Sequence, residues 1–235
     1  VLVEPARGGI FRRIPPGGVI KYAPFFHVSE GFMQGQLWIV AAPSGGGKTS
    51  LIAEAVRVLD DVVESVSHTT RPARPGEIEG VHYFFVPPER FQAMIDADGF
   101  LEYAQVFHNA YGTAAAQVDA LLAAGKDVIL SIDWQGAQQV MARRPDTRSV
   151  FLLPPSLDVL RERLTARGQD NPAVVEKRMA EAEEQISHFS AFEFVIVNEV
   201  FAQAAGELQA LITTDRLRRT RREQDLQPLL ARLGQ

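Results

Sequence analysis

A segment that begins at Ala42 has the composition of a phosphate-binding loop, reading Ala-Pro-Ser-Gly-Gly-Gly-Lys-Thr. Glycines let backbone N–H groups curl around phosphate oxygens without Cβ clashes, and a helix that starts there adds partial positive charge. The pattern places the Lys48 ammonium at the β- and γ-phosphates and the Thr49 hydroxyl on Mg²⁺. The residues expected to bind a nucleoside triphosphate are Ala42, Pro43, Ser44, Gly45, Gly46, Gly47, Lys48 and Thr49.

The flanks of this loop have the patterns that a phosphate-binding loop requires. An apolar run over 37–41 predicts a buried strand before it, and helical periodicity over 50–56 predicts a helix after it. Ala42 occupies a position where the strict pattern has glycine. The alternative is a glycine-rich strand-to-helix turn with an incidental lysine, which the two flanking elements disfavour.

A kinase that uses such a loop also needs cations for a second, acceptor phosphate. Arg71 and Arg74 lie three residues apart on a loop that Pro72, Pro75 and Gly76 constrain. Each guanidinium could hold one acceptor phosphate through paired hydrogen bonds. The alternative is that both are solvated loop arginines, which are common in proteins.

A second set of arginines surrounds the polar segment 168–171. Arg163, Arg167 and Arg178 lie on two predicted helices joined by this segment, an arrangement that could close over the triphosphate and exclude water. The alternative is ion pairing on the helix surface with neighbouring glutamates. Spacing favours that alternative for Arg163 and leaves Arg167 and Arg178 open.

The elements that must position these residues alternate between apolar strands and helices. Strands over 37–41, 128–133, 149–153 and 194–197 are continuous and apolar, which is typical of a parallel sheet covered on both faces. The block 67–113 differs, because it is aromatic, rich in turns and mixed in pattern, with a loop predicted over 68–76 and an alternating strand over 81–86. We therefore predict an α/β fold: a P-loop kinase core with a parallel sheet covered by helices, an inserted mixed lobe and a short helical lid.

Composition restricts the class of protein further. The chain has 235 residues, 46% hydrophobic residues, 23% charged residues, a net charge of −5 and no cysteine. Mild acidity argues against nucleic acid as a partner, and the lack of cysteine excludes disulfides and suits a cytoplasmic location. No apolar run approaches the roughly 20 residues that span a bilayer, so no membrane contact is expected. Composition does not decide whether the chain forms a homo-oligomer.

Several motifs after the glycine-rich loop together resemble the guanylate kinase family. They follow in this order: 66–77 (VSHTTRPARPGE), 80–85, 111–113, 132–137, 167–170, 177–179 and 196–198. The resemblance extends over about 35–222. It implies transfer of the γ-phosphate of ATP to GMP with Mg²⁺, within a P-loop core, a GMP-binding lobe and a mobile lid.

The resemblance also implies roles for individual positions. The GMP phosphate would be held by Ser67, Arg71, Arg74 and Tyr83, with Tyr111 beside them. Guanine would be read by Glu102, Thr113 and Asp133, whose oxygens can accept from the N1–H and N2–H₂ donors that adenine lacks. The phosphates would be bridged by Arg167 and Arg178, which join Lys48 and Arg74 as catalytic residues, and Asn198 would lie near the adenine of ATP.

The sequence departs from the family pattern at one position close to the predicted metal. Ser131 stands where relatives usually carry Asp, two residues before Asp133. This replacement puts in doubt an acidic or water-mediated network near Mg²⁺, so Thr49 is the single metal contact that we assign.

The predicted organisation has three parts. Residues 1–32 are expected to be a poorly ordered extension, and 33–222 form the kinase domain. Within it we predict a core of 36–66 and 114–216, a lobe of 67–113 and a lid of about 163–178. Residues 223–235 form a tail, preceded by a basic run over 216–222 that is either a solvated helix face or a partner contact.

Two other functions are weighed against the kinase. A non-catalytic, guanylate-kinase-like module would bind a phosphorylated peptide with the lobe, but such modules tend to lack the loop lysine and lid arginines that this chain has. A related P-loop kinase would phosphorylate another acceptor, and Ser67, Glu102 and Asp133 favour guanine over it.

Overall fold

The computed structural model describes residues 34–106, 108–166 and 172–234, which belong to one compact unit. A five-stranded sheet in the order β2-β7-β1-β8-β9 forms its centre, and every neighbouring pair in it is parallel. Its strands are β1 (Leu37–Ala41), β2 (Val62–Glu64), β7 (Asp127–Ser131), β8 (Arg148–Leu153) and β9 (Phe194–Val197). The predicted parallel sheet is therefore confirmed.

Helices cover both faces of this sheet, because successive residues of the central strand point to opposite sides. Trp38 and Val40 of β1 pack against one layer, formed by α1 (Lys48–Val58) and α7 (Phe201–Asp215). Leu37, Ile39 and Ala41 pack against the other, formed by α3 (Ala115–Ala123) and α4 (Trp134–Arg143). The continuous apolar run of β1 is thus explained by burial on both faces.

A second sheet forms the inserted lobe, in the order β4-β3-β6-β5. Its strands are β3 (His68–Thr69), β4 (Phe84–Phe85), β5 (Phe100–Val106) and β6 (Asn109–Ala114), and helix α2 (Pro88–Asp96) packs on it. The β3–β4 pair is parallel and the other pairs are antiparallel. The predicted mixed lobe is confirmed.

Two strand boundaries in the lobe differ from the sequence prediction. The strand expected over 81–86 is shortened to Phe84–Phe85, because the amides of Val81 and His82 turn back onto the carbonyl of Ile78. The segment 68–76, expected to be a loop, begins with the short strand β3 instead.

Helices α5 (Leu157–Ala166) and α6 (Pro172–Ser187) form the predicted lid region. They pack on each other through Leu160 and Leu164 of α5 and Val175, Met179 and Ala182 of α6. The segment between them, which includes Arg167, lies outside the described residues.

The last helix that the structure describes is α8 (Arg219–Arg232), which contains part of the basic run and most of the predicted tail. The predicted boundary between residues 222 and 223 falls inside it. Arg221 of α8 is not solvated, since its guanidinium pairs with the buried carboxylates of Asp127 at 2.7 Å and Asp215 at 2.9 Å. The basic run therefore fastens α8 to the amino end of the sheet.

The structure bears only partly on the predictions about the N-terminal extension and about membrane contact. The predicted extension, 1–32, lies outside the described residues. Across the described ranges, no helix combines the length and apolar character that crossing a membrane requires.

Candidate functional site

The glycine-rich loop joins the carboxyl end of β1 to the first turn of α1, as its sequence predicts. Gly45 and Gly47 adopt positive φ values of 85° and 91°, the left-handed region that favours glycine. A Cβ on Gly47 would lie 2.3 Å from the Asn198 amide nitrogen. The loop therefore needs glycine at position 47 for its backbone conformation and for its close packing.

Asn198 fastens this loop to the end of β9. Its side-chain amide is buried and donates a hydrogen bond of 2.9 Å to the carbonyl of Gly46. The resemblance predicts Asn198 as a contact near adenine, and the structure gives it a further role in shaping the phosphate-binding backbone.

The Lys48 ammonium faces the carboxyl end of the sheet, where it donates to the carbonyl of Ile132 at 2.8 Å. Burial lowers the pKa of Lys48 to about 8, and the negative charges of Asp133, Glu64 and Glu102 oppose this shift. A desolvated ammonium interacts more strongly with phosphate than a hydrated one, because the local dielectric is lower.

A cavity of about 310 Å³ opens over the loop. Residues 42–50 form its floor, and Asp133 and Gln185 complete the lining. The floor combines backbone N–H groups, one lysine and the start of α1, so the cavity suits an anion such as a triphosphate.

A second cavity of about 360 Å³ lies between the core and the lobe. Its lining includes Ser67 and Tyr83 from the lobe side and Glu64 and Ser131 from the core. Thr49 lines both cavities. Two ligands that fill them would therefore meet at the first turn of α1.

The loop that carries Arg71 and Arg74 is organised by Glu77. One carboxylate oxygen of Glu77 accepts from the Arg71 guanidinium and the other from the Arg74 backbone amide, each at 2.7 Å. These bonds lower the pKa of Glu77 to about 2, the Arg71 bond having the larger effect. The structure thus holds Arg71 in one orientation, whereas Arg74 is exposed.

Aromatic rings fix the other side of Arg71. Its guanidinium lies 5.4 Å from the ring centre of Tyr83 and 5.8 Å from that of Phe85. The rings of Tyr83 and Tyr111 meet edge to face at 5.9 Å, and the Tyr111 hydroxyl interacts with Arg71. Three of the predicted phosphate contacts are therefore neighbours, on three separate segments of the lobe.

Two of the three predicted base-reading residues form a buried pair in the same lobe. The Thr113 hydroxyl donates to a carboxylate oxygen of Glu102 at 2.6 Å, and both residues are buried. Burial raises the pKa of Glu102, an effect that the Thr113 hydrogen bond opposes and the charge of Asp133 strengthens. The other Glu102 oxygen faces Gly136, near the start of α4.

Asp133 stands between the two sites. Its carboxylate accepts from the amide of Gly136 at 2.8 Å and so caps the N-terminus of α4. The cap fixes the side chain near Glu102 and Lys48, with both of which it interacts electrostatically. One acidic residue thus connects the predicted donor and acceptor sites.

The arginines of α5 and α6 have different environments. The surface ion pair favoured for Arg163 is wrong, because its guanidinium donates to the carbonyl of Asn198 at 2.8 Å. Arg161 instead pairs with Glu176. Arg178 is half-buried on α6. Arg167 lies outside the described residues, so its predicted role stays a prediction.

Comparisons with known proteins agree on one family. A sequence model of guanylate kinase matches residues 34–215. The chain belongs to the guanylate kinase family. It is similar to a guanylate kinase of Alkalilimnicola ehrlichii, with 53% identity over 199 residues that cover 85% of this chain and 96% of the relative. With the guanylate kinase of Escherichia coli K12 the identity is 48% over 202 residues, covering 85% and 98%.

A solved structure supports the same guanylate kinase assignment. The crystal structure of guanylate kinase from Anaplasma phagocytophilum has a TM-score of 0.63 and 31% identity, and the match covers 80% of this chain and 89% of that one. The guanylate-kinase resemblance of the motifs is therefore confirmed, together with the α/β fold.

Two acidic residues near the site were not assigned from the sequence. Glu77 belongs to the 66–77 motif, but its role in holding Arg71 depends on a loop geometry that spacing does not give. Glu64 is the last residue of β2. Its position at the carboxyl edge of the parallel sheet could have indicated a site residue, since ligands bind at that edge in α/β folds.

Proposed function

We propose that the chain transfers the γ-phosphoryl group of ATP to GMP, yielding ADP and GDP. The observation that carries this proposal is the shared position of Thr49, which lines both the cavity over the glycine-rich loop and the cavity that contains Ser67 and Tyr83. A donor phosphate and an acceptor phosphate bound in these cavities would lie next to each other. Family membership gives the activity independent support.

The donor site consists of the loop and Lys48. Its backbone amides bind the triphosphate, and the Lys48 ammonium neutralises charge on the β- and γ-phosphates. Asn198 supports this loop from behind, through its bond to Gly46. ATP is therefore held by backbone groups whose geometry is fixed before it binds.

The predicted Mg²⁺ contact fits the residues present. The Thr49 hydroxyl is exposed in the first turn of α1 and lines both cavities, and it is a hard oxygen ligand of the kind that Mg²⁺ prefers. In the described ranges no group of three or more acids or histidines could hold a metal alone. Such a site requires the nucleotide phosphates as further ligands. The ion would neutralise charge on the transferring phosphoryl group.

The acceptor site consists of the arginine loop and the buried acid pair. Arg71, Arg74, Ser67, Tyr83 and Tyr111 would bind the GMP phosphate, with Arg71 fixed by Glu77. Glu102, Thr113 and Asp133 would accept from guanine. The chain then holds the two nucleotides end to end, and catalysis consists of positioning and charge neutralisation.

The direct test is a coupled assay of ADP release with GMP, AMP, UMP and dTMP as acceptors. We expect turnover with GMP and at most trace turnover with the others. Absence of ADP release with all four, combined with binding of a phosphorylated peptide, would instead identify the non-catalytic module.

Replacement of Glu77 tests the acceptor loop. Glu77→Gln keeps the shape of the side chain but removes the charge that holds Arg71, so the KM for GMP should rise about tenfold. The KM for ATP should stay within about twofold, since the loop lies on the lobe. Glu89→Gln, at an exposed acid on α2 of the same lobe, is the matched control, and an unchanged KM for GMP in Glu77→Gln would contradict the role of Glu77.

Lid closure predicts cooperative protection of α6. With GMP and a non-hydrolysable ATP analogue together, amide hydrogen exchange in Pro172–Ser187 should slow more than with either ligand alone, because closure over both phosphates brings Arg178 to them. Exchange measured by mass spectrometry tests this. Equal protection by one ligand and by two would argue against a lid.

A further inference from the structure

Glu64 is an exposed carboxylate at the carboxyl end of the edge strand β2, and the roles above give it no task. On the neighbouring strand β7, the residue paired with Glu64 is Ile129, and β7 ends two residues later. That last residue of β7 is Ser131. The backbone pairing continues past the strand, where the amide of Ser65 donates to the carbonyl of Ile129 at 3.0 Å. The positions of Glu64 and Ser131 are therefore fixed relative to each other by the sheet.

Both residues line the same cavity as Thr49. Partial desolvation raises the pKa of the Glu64 carboxylate, and the Ser131 hydroxyl and the positive charge of Lys48 oppose this shift. Glu64 in turn stabilises the charged form of Lys48. The carboxylate thus belongs to the charge network around the first turn of α1.

We propose that Glu64 supplies the negative charge that holds the nucleotide-bound Mg²⁺ beside Thr49, next to the hydroxyl that Ser131 presents at the end of β7. The proposal rests on the proposed function and adds a residue to its metal site. Ser131, the last residue of β7, offers a hydroxyl and no charge to this cavity. The carboxylate comes instead from the adjacent strand and reaches the same cavity.

Electrostatics favours the metal over the acceptor nucleotide as the partner of Glu64. A carboxylate next to a phosphate monoester repels it, and the repulsion is strong in a partly desolvated cavity. A divalent cation between them changes the sign of the interaction. Mg²⁺ also retains several water molecules, so a carboxylate can act on it through those waters without being a direct ligand.

The test uses Mn²⁺ in place of Mg²⁺ and measures binding without turnover. Mn²⁺ is titrated into the full chain saturated with ADP, and free Mn²⁺ is followed by electron paramagnetic resonance. Glu64→Gln should weaken Mn²⁺ binding to the protein–ADP complex about tenfold or more, the usual effect of losing an outer partner of a metal site. GMP affinity, measured by calorimetry, should stay within about twofold.

Two further variants make the result specific. Asp60→Asn removes the same charge just before the other end of β2 and should leave Mn²⁺ binding unchanged. Ser131→Asp in the Glu64→Gln background returns a carboxylate to the same cavity from β7, and it should restore most of the lost Mn²⁺ affinity.

The outcomes separate this proposal from the function on which it rests. If the wild-type chain binds neither ADP nor GMP, the proposed function fails, and the metal site with it. If the wild type binds both and Glu64→Gln retains full Mn²⁺ affinity, the metal role is overturned and the function stands. A loss of GMP affinity with unchanged Mn²⁺ binding would place Glu64 in the acceptor site and would also overturn the proposal.

Discussion

Lys48→Ala is expected to lower kcat by about a thousandfold or more, the range seen when a charged or hydrogen-bonding group that stabilises a transition state is removed. This corresponds to about 4 kcal/mol of lost transition-state stabilisation. The Lys48 ammonium is partly buried and bonded to the carbonyl of Ile132, so less water than in bulk screens its interaction with a phosphoryl group. Steady-state ADP release at saturating ATP and GMP measures the effect.

Binding of GMP should survive this change, and calorimetry should show an affinity within about threefold of the wild type. The Lys48 charge interacts with Glu102 and Asp133, but the Arg71 and Glu77 loop that binds the phosphate is separate from it. Lys126→Ala is the matched control, because Lys126 is an exposed lysine paired with Asp61. Retained turnover in Lys48→Ala would show that another cation performs this task.

The glycine-rich loop and its flanks could be predicted because their signals are local. The apolar run of β1, the glycines and the helical periodicity of α1 lie within some twenty consecutive residues, and the structure places each as expected. Parallel pairing followed from the same logic, since strands buried on both faces are apolar throughout. Local pattern was sufficient for the core.

Contacts between distant segments could not be predicted in this way. The bond from Asn198 to Gly46 joins residues 152 positions apart, and Arg163 reaches the carbonyl of Asn198. A backbone carbonyl is present at every residue, so a sequence gives no sign of which one a side chain will find. The surface ion pair predicted for Arg163 was wrong for this reason.

Helix α8 was missed for a different reason. Its sequence has many charges and no clear apolar stripe, and Pro228 lies within it. Its attachment depends on the pairing of Arg221 with Asp127 and Asp215, and charged residues are normally solvated. Hydrophobic periodicity does not indicate a helix that is held in place by buried ion pairs.

Arg71 and Arg74 were predicted from their loop, and the other acceptor contacts from family resemblance; these roles remain predictions about binding. The structure does bring Arg71, Tyr83 and Tyr111 together and pairs Glu102 with Thr113. Spacing alone would have assigned Tyr83 and Glu102 to ordinary strands, because an alternating pattern does not distinguish a ligand contact from any other strand residue. Glu102 therefore gives the sharpest test of the assigned specificity.

Glu102→Ala should reduce the preference for GMP over AMP, expressed as the ratio of kcat/KM values, by about a hundredfold or more. A site built on buried hydrogen bonds rejects an analogue that lacks them by roughly 10⁴-fold or more. Glu102 is buried, and one of its oxygens is already bonded to Thr113, so the carboxylate has a fixed direction. Removing it deletes the acceptor for the guanine N1–H and N2–H₂ groups, and the loss falls on GMP alone.

Glu102→Gln separates this role from packing. It keeps the volume and one acceptor but turns the other oxygen into a donor, which opposes the guanine donors. GMP turnover should fall in both variants, while the KM for ATP stays within about threefold. Glu89→Gln, an exposed acid on α2 of the same lobe, should behave as the wild type. Thermal unfolding checks that each variant is folded, and unchanged selectivity in folded Glu102→Ala would show that other residues recognise the base, which would leave Asp133 and Thr113 to be tested in the same way.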